Sequence, residues 1–313
     1  MRVDFVKAVE AVLDADVDSL FITGDLGFNA LEGIVAKLGK RFINAGVAEQ
    51  SMMGLAAGAA LTGMRPWVYS IAPFATYRCL EQIRNDVCLH NLPVRIAGNG
   101  GGYTYGIMGS THHALEDLAV LKVLPNMQLF FPCANDHVAA AVAHMGQLTG
   151  PSYIRLSVSA YTTPRPVLFE HPATLTRSYA VRDSARPGVT VIGAGHAVQV
   201  ALRALAEHGL DQENVDVFGV ARFPFRLSDD DRLLASVLET KRVVFIEEHY
   251  AAGGMGESMK LALPPLAAFV LMSASYQTDQ RYGSAAFHMK QSKLTPEALV
   301  SAVRAQLQGP SSP

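Results

Sequence analysis

Apolar positions along this chain alternate between two periods. Short apolar runs that end near glycine, "SLFITGDLG", "RFINAG", "RPWVYSIA" and "LPVRIAGNGGG", have the length and the β-branched and aromatic content of buried strands. Stretches with helical spacing separate them: the amphipathic start "MRVDFVKAVEAVLDADVD", then "ALEGIVAKLG", a segment from Glu49, and "CLEQIRNDVCLHN". "MQLFFPCA" and "PSYIRLS" supply two further strands. Such alternation predicts a mostly parallel sheet with helices on both faces.

From about Ser157 to Pro187 the periodicity gives way to proline, threonine and arginine, which predicts a connection between domains. A second alternation follows: the strands "GVTVIGAG", "NVDVFGVARF" and "RVVFIEEH", with helical text in "AVQVALRALAEHGL" and from Ser228 to Thr240. The expected fold is α/β, with two consecutive doubly wound domains at 1–165 and 188–309 joined by a linker at 166–187. The tail "QGPSSP" is expected to fray, and no repeat at a solenoid period is found.

Composition narrows the partners. The chain has 313 residues, half of them hydrophobic, enough for two ordinary buried cores. Charged residues make up 17% and the formal net charge is −2, so no basic field favours nucleic acid or an acidic membrane. A small molecule or another protein is the expected partner. Cys79, Cys88 and Cys133 match neither a zinc-ribbon spacing nor a CxxC pair, which predicts buried thiols in a reducing compartment. The N-terminus lacks the basic-then-apolar order of a secretory signal, so a cytoplasmic location is expected.

Glu49 is the first candidate for chemistry. It is the one carboxylate in "RFINAGVAEQSMMGLAAGAALTG", where an extended run turns into a helix. An acid in a first helical turn is favoured by the dipole alone. Gly54, Ala56, Ala57, Gly58, Ala59 and Ala60 would also let the helix approach a backbone or a flat ligand closely, leaving Glu49 few polar neighbours. A carboxylate desolvated in this way is suited to share a proton with a ring nitrogen.

The loop "GNGGGYTYGIMGSTHHALEDLA" follows a strand, where ligands bind in open α/β sheets. Its spacing fits neither a Walker loop nor a dinucleotide turn. His112 and His113 are expected to open a helix with Glu116 and Asp117 in its first turn. Adjacent positions diverge on a helix, which disfavours a two-histidine metal site and favours one ring facing the cleft while the other caps or packs. "GAGHAVQVAL" at Gly193 is assigned to a tight strand-to-helix turn, since the next strand does not end in an acid that could hold a ribose. A glycine turn with solvated acids accounts for "EEHYAAGGMGES" as well as an active site does.

Taken in order, "RFINAGVAEQSMMGLAAGAALTG", "LEQIRND", "GSTHHALEDLAVLKVLPNMQLFFPCA", "PSYIRLS" and "VVFIEEHYAAGGMGES" resemble the C-terminal half of transketolases, and in particular the separate subunit of split transketolases. The resemblance covers almost the whole chain. It implies a pyrimidine-binding domain followed by a transketolase C-terminal domain, with thiamine diphosphate as cofactor. Glu49 would then hydrogen-bond the aminopyrimidine ring nitrogen and favour the tautomer that takes the thiazolium proton. Phe74 would stack on that ring, with Tyr77 next in line; a count without gaps places Ala75 there instead. Asp25, in "ITGDLG", matches an acid near the cofactor, and a loop-capping role fits it equally.

The same resemblance places His112 beside cofactor and substrate hydroxyls, with His113 in support, and gives Arg155 the sugar phosphate to hold. An arginine snorkelling at a strand end remains the other reading of Arg155. Where sugar-phosphate transketolases carry a histidine and an acid, this chain has approximately Gly100 and Met108. Tyr103 and Tyr105 could form a different wall, for a deoxy or activated sugar. The family's "GDG…N" segment for the diphosphate and its Mg2+ (or Ca2+) is not matched here, since "GDLG" belongs to the pyrimidine domain and Asn44 follows too closely. A separate N-terminal subunit would supply it, in a heterotetramer, and the lone chain would be inactive. The β chain of a 2-oxoacid dehydrogenase, a deoxyxylulose-phosphate synthase and a non-catalytic regulatory copy are the alternatives.

Overall fold

The computed structural model describes residues 1–27, 29–158, 178–182, 184–276 and 281–308. Its first sheet contains β1 (Ser19–Thr23), β2 (Phe42–Asn44), β3 (Arg65–Ile71), β4 (Arg95–Asn99), β5 (Gln128–Phe130) and β6 (Ser152–Leu156). The second contains β7 (Ser178–Arg182), β8 (Val189–Ala194), β9 (Val215–Val220), β11 (Arg242–Tyr250) and β12 (Ala268–Ala274). A two-residue strand, β10 (Arg222–Phe223), follows β9 but pairs with the first sheet.

The first sheet has the order β10-β5-β6-β4-β3-β1-β2 and the second β12-β11-β8-β9-β7. Every pairing is parallel except β10 with β5 and β7 with β9. All five residues of β1 are buried, as are those of β6, because helices cover both faces. The expected doubly wound α/β fold is the observed one.

Three expectations need correction. "VDVFGVARF" is not one strand: it leaves the second sheet after Val220 and delivers Arg222 and Phe223 to the edge of the first. Residues 178–182, expected within the linker, form the antiparallel edge of the second sheet, where one paired side suffices to hold a sequence without apolar periodicity. Residues 159–177 of that stretch and the "GPSSP" tail lie outside the described residues. His112 and His113 do not open a helix; the next helix starts at Asp117, with Glu116 as its N-cap, because Ser110–His112 form a separate 3-10 turn and His113 is extended.

The order β2-β1-β3-β4 places a topological switch point at the carboxyl ends of β1 and β3, the place where open α/β sheets form their binding crevice. The chain returns from β2 to β3 through the helix Glu49–Leu61, which brings Glu49 back over that crevice.

Candidate functional site

Glu49 is 1% exposed, in the first turn of its helix. A Cβ added to Gly24, just after β1, would lie 3.2 Å from Glu49 Cγ, so the absence of a side chain there lets the carboxylate settle against the strand end. Ser70, in β3, donates from Oγ to Glu49 Oε1 at 3.4 Å. Arg78 Nη1 donates to Oε2 at 2.5 Å. The acid therefore has more polar company than its sequence neighbours suggest, because Ser70 and Arg78 come from elements distant in the chain. Gly54 and Gly58 of the same helix face open space.

Arg78 also lies over Phe74, with Cζ 4.4 Å from the ring centroid. Phe74 meets His112 edge-on at 5.1 Å, and His112 meets Tyr105 edge-on at 6.2 Å. Glu49, Arg78, Phe74, His112 and Tyr105 thus form one continuous group, assembled from a helix start, the short helix and turn after β3 and the loop after β4. Thr111 Oγ1 and His112 Nδ1 are hydrogen-bonded at 2.9 Å. Ala75, the other register for a stacking residue, is fully buried, whereas Phe74 is half-buried.

Tyr77 points elsewhere. Its hydroxyl donates to Glu116 Oε2 at 2.9 Å and accepts from the Glu116 amide at 3.0 Å. Burial, with Asp117 and Glu116 nearby, raises its pKa. It ties the segment after β3 to the N-cap of the helix at Asp117. Asp25 has a left-handed φ of 58° and a reciprocal pair with Asn44: the Asn44 Nδ2 amide donates to Asp25 Oδ1 at 2.8 Å and the Asp25 amide to Asn44 Oδ1 at 3.1 Å. That geometry is loop capping, one of the two readings its sequence left open.

His113 is buried in the second domain's side of the loop. Its Nε2 and that of His288 both donate to the Gly106 carbonyl, at 3.4 and 3.2 Å, and both rings pack on Tyr103. Burial lowers the His113 pKa and keeps it neutral. The second histidine is thus a strut for the loop, as a packing partner should be.

Arg155 does not face the Glu49 group. It is 7% exposed, its Nη2 donates to the Ala114 and Glu248 carbonyls at 2.6 and 2.8 Å, and its Nε lies 3.3 Å from Asp117 Oδ2. Tyr153 donates to the same carboxylate oxygen at 2.7 Å. Burial disfavours the guanidinium charge, but Asp117, Tyr153 and Glu248 hold its pKa above the ordinary value. Through Nη2 and its ion pair with Asp117, Arg155 joins the two domains.

Glu247 and Glu248 of "EEHYAAGGMGES" are buried rather than solvated. Glu247 accepts from the amides of Met255 and Gly256 at 2.8 and 3.2 Å, at the start of a helix. Burial still pushes its pKa up to about 7. Glu248 accepts from the Tyr103 amide at 3.0 Å, and burial raises its pKa too. Their positions follow from a strand, β11, that is covered on both faces, which the glycines after it concealed. A cavity of about 250 Å³ lies between the domains, lined by Tyr103, Ser110, His113, Glu116, Tyr250 and Arg281 among others; neither Glu49 nor Phe74 lines it. The three cysteines are free and buried, as expected. At Gly193 a Cβ would fall 2.4 Å from Val198 Cα, so the "GAGHAV" turn is closed by its own helix.

Residues 1–164 match the family model for the transketolase pyrimidine binding domain, and residues 178–298 match that for the transketolase C-terminal domain. The chain belongs to the transketolase family. It is similar to a subunit of the apulose-4-phosphate transketolase of Phocaeicola vulgatus, with 30% identity over 262 residues that cover 82% of this chain and 80% of that one. It is also similar to the 1-deoxy-D-xylulose-5-phosphate synthase of Pelotomaculum thermopropionicum, with 34% identity over 224 residues, which cover 71% of this chain and 34% of that enzyme. A solved structure described as a split gene transketolase, inactive beta4 tetramer, superposes with a TM-score of 0.77 at 28% identity, covering 97% of this chain and 96% of that one.

Transketolase membership implies thiamine diphosphate, and the Glu49 group fits the pyrimidine end of that cofactor. A buried carboxylate and a half-buried aromatic ring stand together at the switch point, and the planar Arg78 guanidinium occupies both, in the place a bound pyrimidine would take from it. Among the described residues no group of three or more His, Cys, Asp or Glu side chains is arranged to hold a metal ion, and no helix is long and apolar enough to cross a membrane.

Proposed function

We propose that this chain is the pyrimidine-binding and C-terminal subunit of a two-chain, thiamine-diphosphate-dependent transketolase, which moves a two-carbon ketol unit from a ketose to an aldose. The observation that carries the proposal is Glu49: a carboxylate buried at the sheet switch point, beside a half-buried aromatic ring. When bound, the cofactor supplies a thiazolium carbon able to take and release the ketol unit. Glu49 holds the proton exchanged with the aminopyrimidine. Phe74 offers the stacking face, and the apolar walls of its helix exclude water from the carboxylate. His112 and Tyr105 border the reacting groups, with His113 holding their loop.

The diphosphate and its Mg2+ or Ca2+ are assigned to a separate N-terminal subunit carrying "GDG…N", with the two chains forming a cytoplasmic heterotetramer and a small sugar or sugar phosphate as substrate. The naming of the apulose-4-phosphate relative as one subunit of its enzyme supports the division. Similarity to a deoxyxylulose-phosphate synthase supports a second reading, in which pyruvate is the donor.

The test is titration calorimetry of thiamine diphosphate and magnesium into the chain alone and mixed with a candidate N-terminal subunit. Binding in the mixture alone is expected. Tight binding by the lone chain would overturn the two-chain reading.

A further inference from the structure

The loop after β4 contains a substitution of one residue's volume by another's. Gly100 has a φ of +87°, and a Cβ built on it would lie 2.1 Å from Tyr105 Cε2 and 2.3 Å from Cδ2. The Tyr105 ring therefore rests on the Gly100 backbone, in the space a side chain at 100 would need. Any residue but glycine there would displace the ring and strain the turn.

Two contacts fix that ring. Asn99, the last residue of β4, donates from Nδ2 to the Tyr105 hydroxyl oxygen at 2.6 Å, and the ring stands edge-on to His112. Burial raises the Tyr105 pKa, so the phenol is neutral near pH 7. A phenol oxygen that accepts from an amide keeps its own proton to donate. Among the described residues no acceptor for that proton is found, and the ring is half-buried at the edge of the group formed by His112 and Phe74.

We propose that Tyr105 is a specificity-determining residue, donating its phenolic O–H to the hydroxyl of the transferred ketol unit, and that Asn99 is its positioning residue. The inference rests on the transketolase reading above. The chemistry suits an uncharged oxygen: the segment Asn99–Thr111 contains no charged side chain, and Tyr105 sets a neutral donor on its aromatic wall. A site built to bond a hydroxyl discriminates against the analogue lacking it more strongly than an apolar pocket can. Asn99 acts through the ring it holds: its Nδ2 amide donates to the phenol oxygen and so fixes where the Tyr105 hydroxyl stands.

Hydroxypyruvate and pyruvate differ by that single hydroxyl and serve as the probes. The wild-type chain, Tyr105→Phe, Asn99→Ala and the double variant are each assembled with the N-terminal subunit and thiamine diphosphate, and kcat/KM is measured for both donors. The wild type is expected to favour hydroxypyruvate, and Tyr105→Phe to narrow that preference about tenfold, the worth of one hydrogen bond. Asn99→Ala should narrow it similarly, and the double variant no further than Tyr105→Phe. Cofactor affinity by calorimetry should stay unchanged in all of them, which separates loss of the contact from damage to the Glu49 group. An unchanged preference in Tyr105→Phe, or losses that multiply in the double variant, overturns the inference and leaves the transketolase reading standing. A wild type that favours pyruvate, or that binds cofactor and turns over neither donor, overturns both.

Discussion

Arg78 and Glu49 form an ion pair at 2.5 Å in which one partner is 43% exposed and the other 1%. The carboxylate is thus held in the interior by a cation that reaches in from the surface. Arg78→Met removes the cation and leaves Ser70 as the remaining hydrogen-bond donor. Thermal unfolding should show a loss of about 1–3 kcal/mol, less than for a fully enclosed pair because Arg78 is partly solvated. Glu49→Gln in the same background should recover part of it, and a cycle with no coupling would show that the pair contributes nothing.

Phe74 and Tyr77 stand first and second as sequence candidates and differ in their contacts. Phe74→Ala in the assembled complex should weaken thiamine diphosphate binding by about tenfold, as expected for loss of an aromatic stacking face. Tyr77→Phe should leave that affinity unchanged and lower stability by about 1 kcal/mol, since only its bonds to Glu116 are lost. Calorimetry and thermal melts separate the two effects; a reversed pattern would assign the stacking role to Tyr77.

Arg155 predicts a structural outcome where its sequence suggested a substrate contact. Arg155→Met strands the Ala114 and Glu248 carbonyls and leaves Asp117 buried without its cation. The expected cost is about 3–5 kcal/mol, with the single thermal transition splitting as the domains uncouple. A well-folded variant with a normal melt and a raised KM for phosphorylated sugars alone would restore the phosphate role.

Glu247 makes stability depend on pH. Its folded pKa is raised by burial to about 7 from the ordinary 4.5. The folded state therefore holds the proton more tightly, so this contribution is full below about pH 4.5 and is lost as pH rises through 7. His249, whose pKa burial lowers to about 4, has the opposite sign over the lower part of that range. Denaturation curves of wild type minus Glu247→Gln isolate the acid: the difference should decline between pH 4.5 and 7 and then flatten. A flat difference throughout would mean that the carboxyl is not perturbed.

The strands of the first sheet are legible in the sequence because both of its faces are covered, which leaves runs such as "SLFIT" wholly apolar. The burial of Glu49 is legible for a related reason: an acid in a run of small and apolar residues has few polar neighbours in sequence. Arg78 is not, since an arginine four residues after Phe74 looks like any surface cation until the turn after β3 brings both over the carboxylate. Asn99 is invisible in the same way, as its importance depends on a ring six residues later folding back over a glycine. Arg155 misleads because an arginine at a strand end is the same text whether it meets solvent or a second domain.

The two-residue strand at Arg222 and Phe223 affects how this protein could be recombined with its relatives. It finishes the edge of a sheet to which its own domain does not otherwise belong. A chimera made by exchanging the C-terminal domain would import a foreign strand into the N-terminal sheet, and one made by deleting that domain would bare the edge at β5 for pairing with other chains. Crossovers that keep residues 128–130 and 222–223 from the same parent should therefore express as soluble protein more often than those that follow the domain boundary, and a shuffled library would measure the difference directly.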